Sequence, residues 1–211
     1  MQTEKEEKER HAFIVFDGID GSGKSTIAKK IAKYLKSKGL KVFLTHEPSN
    51  FASGKKIKEL VRKKSSQKLS RKFWIALFTQ DRLEHINKFI LPKLKEGIVI
   101  SDRYYYSTLA YQMKENEWQE YLKKYRFLKP DMAFILDVNP KIALQRIEKA
   151  KPSKAVFEKE RFLEKVRRKY VRLCKLKNLL KENLFLIDAN QPILKVFADV
   201  KRFIDKELKI K

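Results

Sequence analysis

Cysteine, glycine and proline are all scarce in this chain of 211 residues, which has one cysteine, six glycines and six prolines. The single cysteine, Cys174, excludes an intramolecular disulfide framework, and its place in an amphipathic run indicates a core position. No stretch approaches the roughly 20 consecutive apolar residues that a membrane-spanning helix needs. The first ten residues are mostly charged and lack the apolar region of a secretory signal, so residues 1–11 are predicted to form a solvated tail. These absences together predict a cytoplasmic protein with no membrane partner.

Acidic side chains are also few, since 26 Asp and Glu stand against 50 Lys and Arg, a formal net charge of +24. Such a charge attracts nucleotides, nucleic acids or acidic membranes without choosing among them. The excess is concentrated between positions 141 and 177, which carry 14 basic and 4 acidic side chains. No zinc-binding cysteine spacing or recognised RNA-binding motif accompanies it. Non-specific, salt-sensitive nucleic-acid binding is therefore expected from the surface charge alone.

Short apolar runs alternate with helical patterns along the chain. The apolar runs that predict buried strands are 13–16, 41–45, 98–100, 132–136 and 184–187. The helical patterns are 25–38, 70–97, a segment after Pro140, 158–179 and a segment after Pro192. Continuous apolar strands separated by helices predict an α/β fold, with a five-stranded parallel sheet covered by helices on both faces. With no internal repeat and no linker, residues 1–211 are predicted to form one domain.

A glycine-rich turn follows the first predicted strand. Residues 18–25, GIDGSGKS, fit the phosphate-loop pattern G-x-x-x-x-G-K-[ST] between a strand and a helix. Glycines let successive backbone N–H groups point at phosphate oxygens, and the following helix start adds a partial positive charge. Lys24 would reach the β- and γ-phosphates, and the Ser25 hydroxyl would ligate Mg²⁺. The residues predicted to hold the donor nucleotide are Gly18, Asp20, Gly21, Ser22, Gly23, Lys24, Ser25 and Thr26.

A nucleoside triphosphate site alone does not identify the enzyme. The only near match to the guanine-specifying N-K-x-D motif, at 87–90, lacks the Asp and lies in a helical pattern, which argues against a regulatory GTPase. Beyond the loop, however, several segments resemble the thymidylate kinase family. They are FDGIDGSGKST, THEP, LFTQDR, ISDRYYYSTLAYQ, KPDMAFILDV and FEKERFLEKVRRKY, and they extend from about Phe13 to Asp188. The fourth is the most specific, because an Asp-Arg-Tyr that closes a strand before Ser-Thr-x-Ala-Tyr is rare by chance.

The resemblance implies a P-loop nucleoside monophosphate kinase that transfers a phosphoryl group from Mg-ATP to dTMP, for dTTP synthesis, and it implies a homodimer. Asp102 would hold Mg²⁺ together with Ser25, from the end of a strand. Arg103 would bind the acceptor phosphate, because a planar guanidinium gives paired, charge-assisted hydrogen bonds. Asp17 matches an acidic position whose role the resemblance leaves open.

The resemblance also implies a pocket for thymidylate. Phe78 and Arg82 are four residues apart and share a helix face, and they match the residues that stack on thymine and bond a base carbonyl. Thr108 and Gln112 match positions near the thymine ring.

The sugar would meet other side chains. Tyr111 matches the tyrosine that crowds the ribose 2′ position and so favours deoxyribose. Asp20 matches the acid near the 3′-hydroxyl, and Pro48 would form one wall of the pocket.

A mobile lid over ATP is implied at about 146–157. The family supplies a catalytic cation either from the phosphate loop or from the lid, and Gly21 and Ser22 of this loop are uncharged. Basic residues stand in the lid segment instead, as in the lid-supplied branch. The implied catalytic residues are Lys24, Arg103, Arg146, Lys151 and Lys154.

Three departures from the family pattern leave open which cation contacts the transferred phosphoryl group. His46 stands where an arginine is common, and Ser-Asn-Phe at 49–51 replaces Gly-Gly-Thr. Ala155 and Val156 stand where Asp-Arg is common at the end of the lid, so Arg161 or a lid lysine would substitute.

Other functions stay open at this point. A deoxynucleoside kinase would use Glu47 as its base, although its later motif is typically Glu-Arg-Ser rather than the Asp-Arg-Tyr found here. A kinase for another monophosphate, such as dUMP or UMP, has similar motifs. Discrimination of thymine from uracil rests on one methyl group, worth about 1–3 kcal/mol, so some use of dUMP is expected. An ATP-dependent nucleic-acid-binding protein is the alternative from a different class.

Overall fold

The computed structural model describes residues 10–63, 68–150 and 156–210. Five strands form one sheet in which every pair of neighbours is parallel. The strands are β1 Ala12–Gly18, β2 Val42–His46, β3 Ile98–Asp102, β4 Met132–Asp137 and β5 Leu184–Asp188. Their spatial order is β2-β3-β1-β4-β5, so β1 lies at the centre. The predicted α/β class, with a five-stranded parallel sheet, is confirmed.

Ten α-helices connect and cover these strands in the described residues. They are α1 Lys24–Ser37, α2 Ala52–Arg62, α3 Arg71–His85, α4 Leu91–Leu94, α5 Tyr105–Gln112, α6 Trp118–Tyr125, α7 Pro140–Ala150, α8 Val156–Lys175, α9 Lys177–Leu180 and α10 Ile193–Glu207. Helices α1 and α10 pack together on one face of the sheet, and α5 and α8 pack together on the other. The parallel strands are therefore buried on both faces, which explains why β1, β3 and β4 read as continuous apolar runs.

The long helical pattern predicted from Ser70 to near Gly97 is not one uniform α-helix. Ser70 caps α3 by accepting a hydrogen bond from the N–H of Phe73 at 3.2 Å. A π-helical turn, Ile86–Ile90, then separates α3 from α4. Pro92 has no N–H for the helical ladder and its ring crowds the preceding turn, which accounts for the wider turn before it.

Three helices were not predicted from the sequence, α2, α5 and α6. Helix α2 contains Gly54 and one fully buried apolar residue, Ile57, so its periodic signal is weak. Gly54 is required by packing, since a Cβ there would lie 2.2 Å from the carbonyl oxygen of Ser49. Helix α6 buries Trp118 and Tyr121 beneath a polar outer face.

The buried apolar side chains form one continuous cluster around the sheet, which includes Phe13, Ile14, Ile100 and Phe134. Cys174 is half-buried and packs against this cluster, and burial raises the pKa of its thiol to about 12. Within the described ranges no helix is long and apolar enough to cross a membrane. Of the predicted tail only residues 10 and 11 are described, and residues 151–155 of the predicted lid lie outside the described residues.

Candidate functional site

The carboxyl ends of β1 and β3 lie side by side at the centre of the sheet. Phe16 is paired in register with Asp102, and the N–H of Arg103 donates to the carbonyl of Phe16 at 2.8 Å. The glycine-rich loop leaves β1 at this edge, and the Asp102-Arg103 pair leaves β3 beside it. Parallel strands thus bring together two motifs that are about 80 residues apart in the sequence.

The loop has the backbone geometry that its glycines predict. Gly18, Gly21 and Gly23 all have positive φ, at +141°, +80° and +94°. A Cβ on Gly21 would lie 2.3 Å from the carbonyl oxygen of Ala143, so α7 packs directly on the loop backbone. The loop encloses the ammonium of Lys24, which donates to the carbonyl of Ile19 at 2.8 Å. The loop is therefore a rigid concave turn that leads into α1, as a phosphate cradle requires.

Lys24 has an unusual electrostatic environment. The pKa of its ammonium is lowered from 10.5 to about 8, first by burial and then by the nearby guanidinium of Arg103, against the opposing effect of Asp20 and Asp102. A buried cation beside a second cation is unfavourable without an anion between them. The charge arrangement at the loop therefore fits an anionic ligand.

Ser25 and Asp102 meet at the mouth of the loop, where the Ser25 hydroxyl donates to the Asp102 carboxylate. A hydroxyl beside a carboxylate is the donor set that Mg²⁺ takes in phosphate-loop proteins, where phosphate oxygens and waters complete the coordination. The described residues hold no group of three or more His, Cys, Asp or Glu side chains that could bind a metal by themselves. The residues present thus fit Mg²⁺ delivered with a nucleotide and offer no all-protein metal cage.

A cavity of about 940 Å³ lies over the loop. It is lined by every loop residue predicted to hold the donor except Gly18, which lies beneath at the end of β1, and by Asp102, Arg103 and Arg146. The guanidinium of Arg146 donates to the carbonyl of Ala189 at 3.0 Å, so α7 is tied to the segment after β5. The other predicted lid cations, Lys151 and Lys154, lie outside the described residues.

A second cavity, of about 450 Å³, opens on the other side of Asp20 and Arg103. All of the residues predicted to bind the acceptor line it, namely Asp20, Pro48, Phe78, Arg82, Arg103, Thr108, Tyr111 and Gln112. Asp20 and Arg103 line both cavities and form an ion pair with each other. The two cavities therefore meet at a junction of one carboxylate and one guanidinium, which we call the Asp20–Arg103 junction.

The junction is fixed by further contacts. The hydroxyl of Tyr111 accepts a hydrogen bond from the N–H of Asp20 at 3.0 Å, and the guanidinium of Arg103 lies over the Tyr111 ring. Loss of solvation lowers the pKa of Arg103, but Asp20 and the other acidic groups around the guanidinium together outweigh this effect, so the net shift is upward. Arg103 thus stays fully charged at the boundary between the cavities.

The floor of the second cavity is a buried ion pair. Arg82 donates to Glu47 at 2.7 Å, and their side chains are only 1% and 4% exposed. Arg82 also donates to the Thr108 hydroxyl at 3.2 Å, and His85 lies 3.4 Å from the second oxygen of Glu47. Burial lowers the pKa of Arg82, but Glu47, Tyr121 and Tyr104 together outweigh this effect and raise the pKa overall. Thr108 therefore contacts Arg82 as well as the cavity.

Two polar atoms at this cavity are buried without a hydrogen-bond partner in the described part of the chain, the Nε of Arg82 and the Oε1 of Gln112. They offer one donor and one acceptor, which a heterocyclic base with exocyclic oxygens and a ring N–H would complement. Phe78 is half-buried on the same helix as Arg82, with its ring 6.0 Å from that of Trp74. This wall is suited to a flat aromatic ligand.

Sequence reasoning missed two parts of the site. Helix α2 contributes Ile57, Lys58, Val61 and Arg62 to the acceptor-side cavity. The segment after β5, Ala189 to Ile193, lines the donor-side cavity. The end of β5 was detectable, because ligands in parallel sheets bind beyond the carboxyl ends of strands. Helix α2 carried no such signal.

Comparison with known proteins gives a consistent result. A family model described as thymidylate kinase matches residues 16–200. The thymidylate kinase of Thermosipho africanus is 36% identical over 203 residues, which cover 93% of this chain and 98% of that protein. The thymidylate kinase of Leptospira borgpetersenii is 42% identical over 171 residues, 78% of this chain and 82% of that protein. A probable thymidylate kinase of Archaeoglobus fulgidus is 38% identical over 203 residues, 94% of this chain and 97% of that protein.

Proposed function

Because this chain belongs to the thymidylate kinase family, we propose that it transfers the γ-phosphoryl group of Mg-ATP to dTMP and so forms dTDP. The observation that carries this proposal is the Asp20–Arg103 junction, where a phosphate-loop cavity meets a cavity suited to an aromatic base. A donor and an acceptor that bind in the two cavities would bring their phosphates together at one guanidinium. Transfer of a phosphoryl group depends mainly on such positioning and on charge stabilisation.

On the donor side, loop N–H groups and Lys24 would hold the β- and γ-phosphates, and Ser25 and Asp102 would hold Mg²⁺. The metal supplies charge neutralisation for the phosphate oxygens. Arg103 would bind the acceptor phosphate from the junction. These cations would stabilise the charge that spreads over the transferred group.

On the acceptor side, Phe78 would stack on thymine, and Arg82 and Gln112 would supply the donor and the acceptor for its polar edge. Thr108 would hold Arg82 in place beside the base. The sugar would lie against Pro48 and the Asp20–Tyr111 pair, with Tyr111 on the 2′ side and Asp20 near the 3′-hydroxyl.

The environment of Glu47 bears on the choice between a phosphorylated and an unphosphorylated acceptor. A deoxynucleoside kinase would need this carboxylate to accept a proton from the nucleoside hydroxyl. Here one of its oxygens accepts from Arg82 and the other faces His85. A phosphate acceptor needs no such base, since its oxygen is already ionised at neutral pH. The engaged Glu47 therefore favours dTMP over thymidine as the acceptor.

The test is ADP formation from Mg-ATP with dTMP, dUMP, UMP, dCMP, AMP and thymidine as acceptors. We expect the highest kcat/KM with dTMP, a value about 10- to 200-fold lower with dUMP, and little activity with UMP. Activity with thymidine but not with dTMP would instead assign Glu47 as a base and overturn the role of Arg103. Equal rates with UMP and dUMP would show that Tyr111 does not exclude a ribose 2′-hydroxyl.

We further propose that residues 1–211 act as one kinase domain, with 146–157 as a lid that carries Arg146, Lys151 and Lys154 to the phosphates. Replacement of each cation by alanine, with Lys141→Ala on the exposed side of α7 as control, would identify the one that acts. Arg161, on α8, joins the series because it is the alternative source of charge. The active cation is the one whose loss lowers kcat, with little change in KM for dTMP.

A homodimer in the cytoplasm is the state that we propose for this kinase. The family supports the homodimer, and the single cysteine supports the cytoplasm. Exposed Leu83 and Leu91 on the α3–α4 side offer apolar surface to a second copy. Light scattering after size exclusion would give twice the chain mass if the proposal holds. A monomer at every concentration would refute it.

A second candidate function, binding of duplex nucleic acid, is favoured by the outer face of α8. Five exposed cations follow this face at helical spacing, Arg161, Lys165, Arg168, Arg172 and Lys175. They extend over about 21 Å, given a rise of about 1.5 Å per residue. Phe162 is the one large exposed apolar residue on the described part of α8, so the face lacks the apolar surface that insertion into a membrane requires. A polyanionic backbone complements this stripe.

Fluorescence anisotropy with a 20-base-pair duplex at several salt concentrations tests this second function. The triple variant Lys165→Gln, Arg168→Gln, Arg172→Gln should lower the salt slope by about 2.7, at roughly 0.9 for each phosphate that is no longer neutralised. The control replaces Lys29, Lys33 and Lys36 on the exposed face of α1 by glutamine, which changes net charge equally. Equal effects of the two triple variants would mean that total charge alone is responsible and that α8 is not a specific surface.

A further inference from the structure

Arg103 adopts a backbone conformation that L-residues rarely take, with φ at +77°. Such a conformation persists only when the surrounding structure holds it. The same residue must present its guanidinium at the junction of the two cavities, where a small displacement would move it away from a bound phosphate. The contacts that hold this turn therefore decide the position of the guanidinium.

The backbone on the C-terminal side of Arg103 is held by Asp17, a fully buried residue of β1. One oxygen of its carboxylate, Oδ2, accepts hydrogen bonds from the N–H groups of Tyr104 and Ser107, both at 3.1 Å. On the other side, the N–H of Arg103 itself donates to β1 at Phe16. The strained residue is thus fastened to β1 before and after its Cα.

The side chain of Arg103 is held through a second set of bonds. Its Nη1 donates to the Ser107 hydroxyl at 2.9 Å, and that hydroxyl donates to Oδ1 of Asp17 at 2.7 Å. The same Oδ1 accepts the hydroxyl of Tyr170 at 2.7 Å, and the two hydroxyls lie 3.2 Å apart. Tyr170 is 2% exposed and comes from α8, so it contacts Asp17 from 153 positions further along the chain.

We propose that Asp17, Ser107 and Tyr170 are positioning residues that set the guanidinium of Arg103 for the acceptor phosphate. This inference rests on the proposed function, since it takes Arg103 as the phosphate ligand. Tyr170 is the least direct of the three, because its hydroxyl contacts neither cavity and acts only through Asp17 and Ser107. It gives α8, which follows the predicted lid, a direct connection to the acceptor side.

The variant Tyr170→Phe tests the proposal, because it keeps the packed ring and removes only the hydroxyl. Its matched control is Tyr106→Phe, which removes the hydroxyl of another buried tyrosine. That hydroxyl donates to Glu182 at 2.5 Å and lines neither cavity. Calorimetric titrations measure the affinity of each protein for dTMP, for thymidine and for Mg-ATP. Thymidine has the base and the sugar but no phosphate, so it reports the pocket without Arg103.

We expect Tyr170→Phe to bind dTMP roughly tenfold more weakly than the unaltered protein does, as loss of a hydrogen bond to a charged group predicts. Its affinities for thymidine and Mg-ATP should stay within about twofold, and Tyr106→Phe should leave all three within the same range. Unchanged dTMP affinity in Tyr170→Phe, or equal losses for dTMP and thymidine, would overturn the proposal. If the unaltered protein does not prefer dTMP to thymidine, the proposed function itself fails.

A second variant keeps the test independent of α8. Ser107→Ala removes the hydroxyl that bridges Arg103 and Asp17, and it should weaken dTMP binding at least as much as Tyr170→Phe. The double variant should be no more than about twofold weaker than Ser107→Ala alone, because both substitutions act through the same carboxylate. Additive losses would show that Tyr170 acts on dTMP binding by a separate route and would refute the shared cluster.

Discussion

The donor-side and acceptor-side cavities differ in how the chain builds them. The donor-side cavity takes most of its polar groups from one continuous segment, Asp20 to Thr26, and its backbone supplies them. The acceptor-side cavity collects side chains from the loop, the turns after β2 and β3, and helices α2, α3 and α5. The first depends on local backbone conformation, and the second depends on how separate helices pack.

The charges in the two cavities differ in the same way. Lys24 on the donor side is a buried cation whose carboxylate neighbours do not offset its burial, so it needs the ligand as a partner. Arg82 on the acceptor side has a partner within the protein, Glu47. Loss of the acceptor-side cation Arg82 should therefore affect folding, whereas loss of the donor-side cation Lys24 should mainly affect activity.

The largest effect is expected from removal of one member of the buried pair. Arg82→Met should lower the free energy of unfolding by about 3–5 kcal/mol, because it leaves the Glu47 carboxylate buried without its cation. Urea denaturation measures the change. Lys93→Met, which breaks an exposed pair with Glu96, is the control and should cost no more than about 1 kcal/mol. Equal costs would show that burial does not distinguish the two pairs.

A somewhat smaller effect, on activity rather than folding, is expected from Lys24→Met. Loss of a positioned cation at the transferred phosphate should lower kcat by about 100- to 1,000-fold. The free energy of unfolding should not fall, because the substitution removes a buried charge that has no ion-pair partner among the described residues. The exposed Lys29 of the same helix provides the control, Lys29→Met. A fall in stability with normal kcat would reverse the contrast between the two cavities.

The Phe78 ring provides a test of the acceptor-side cavity that leaves the Arg82–Glu47 ion pair intact. Phe78→Ala should weaken binding of dTMP by about 1–3 kcal/mol, as for other bases that stack on an aromatic ring. KM for ATP should change little. Phe73→Ala removes a half-buried ring from the same helix outside the cavity and serves for comparison. A larger change in KM for ATP than for dTMP would contradict the assignment of the two cavities.

The smallest effect is the pH dependence of donor binding. With a pKa of about 8, Lys24 loses its proton in the free protein as the pH rises, and a bound triphosphate would raise that pKa. ATP affinity should therefore fall about fourfold between pH 7 and 8.5, with proton uptake on binding. Calorimetry in two buffers of different ionisation enthalpy measures this uptake, which Lys24→Met should abolish. Affinity that rises with pH would contradict the assigned charge state.

The same lowered pKa has a consequence for stability. Between pH 8 and 10.5 the unfolded chain holds a proton on Lys24 that the folded chain has lost. The contribution of Lys24 to the free energy of unfolding therefore becomes more favourable as the pH rises through this window.

Sequence patterns predicted the five strands and the phosphate loop because both depend on near neighbours in the chain. A buried parallel strand needs a short apolar run, and the loop needs glycines followed by Lys24 and Ser25. The acceptor residues were predicted by family resemblance, and they do line one cavity. Whether they bind dTMP stays a prediction, as does the role of Arg146, Lys151 and Lys154.

By itself the sequence determined the order of elements, the parallel sheet and the edge at which a nucleotide site would form, because these follow from local periodicity and chain direction. Only the tertiary structure decided that α2 would line the acceptor-side cavity, that Glu47 would pair with Arg82, and that Tyr170 would hydrogen-bond Asp17. The last two depend on contacts between residues that are 35 and 153 positions apart. Such contacts are set by the packing of whole helices and leave no periodic signal in the chain.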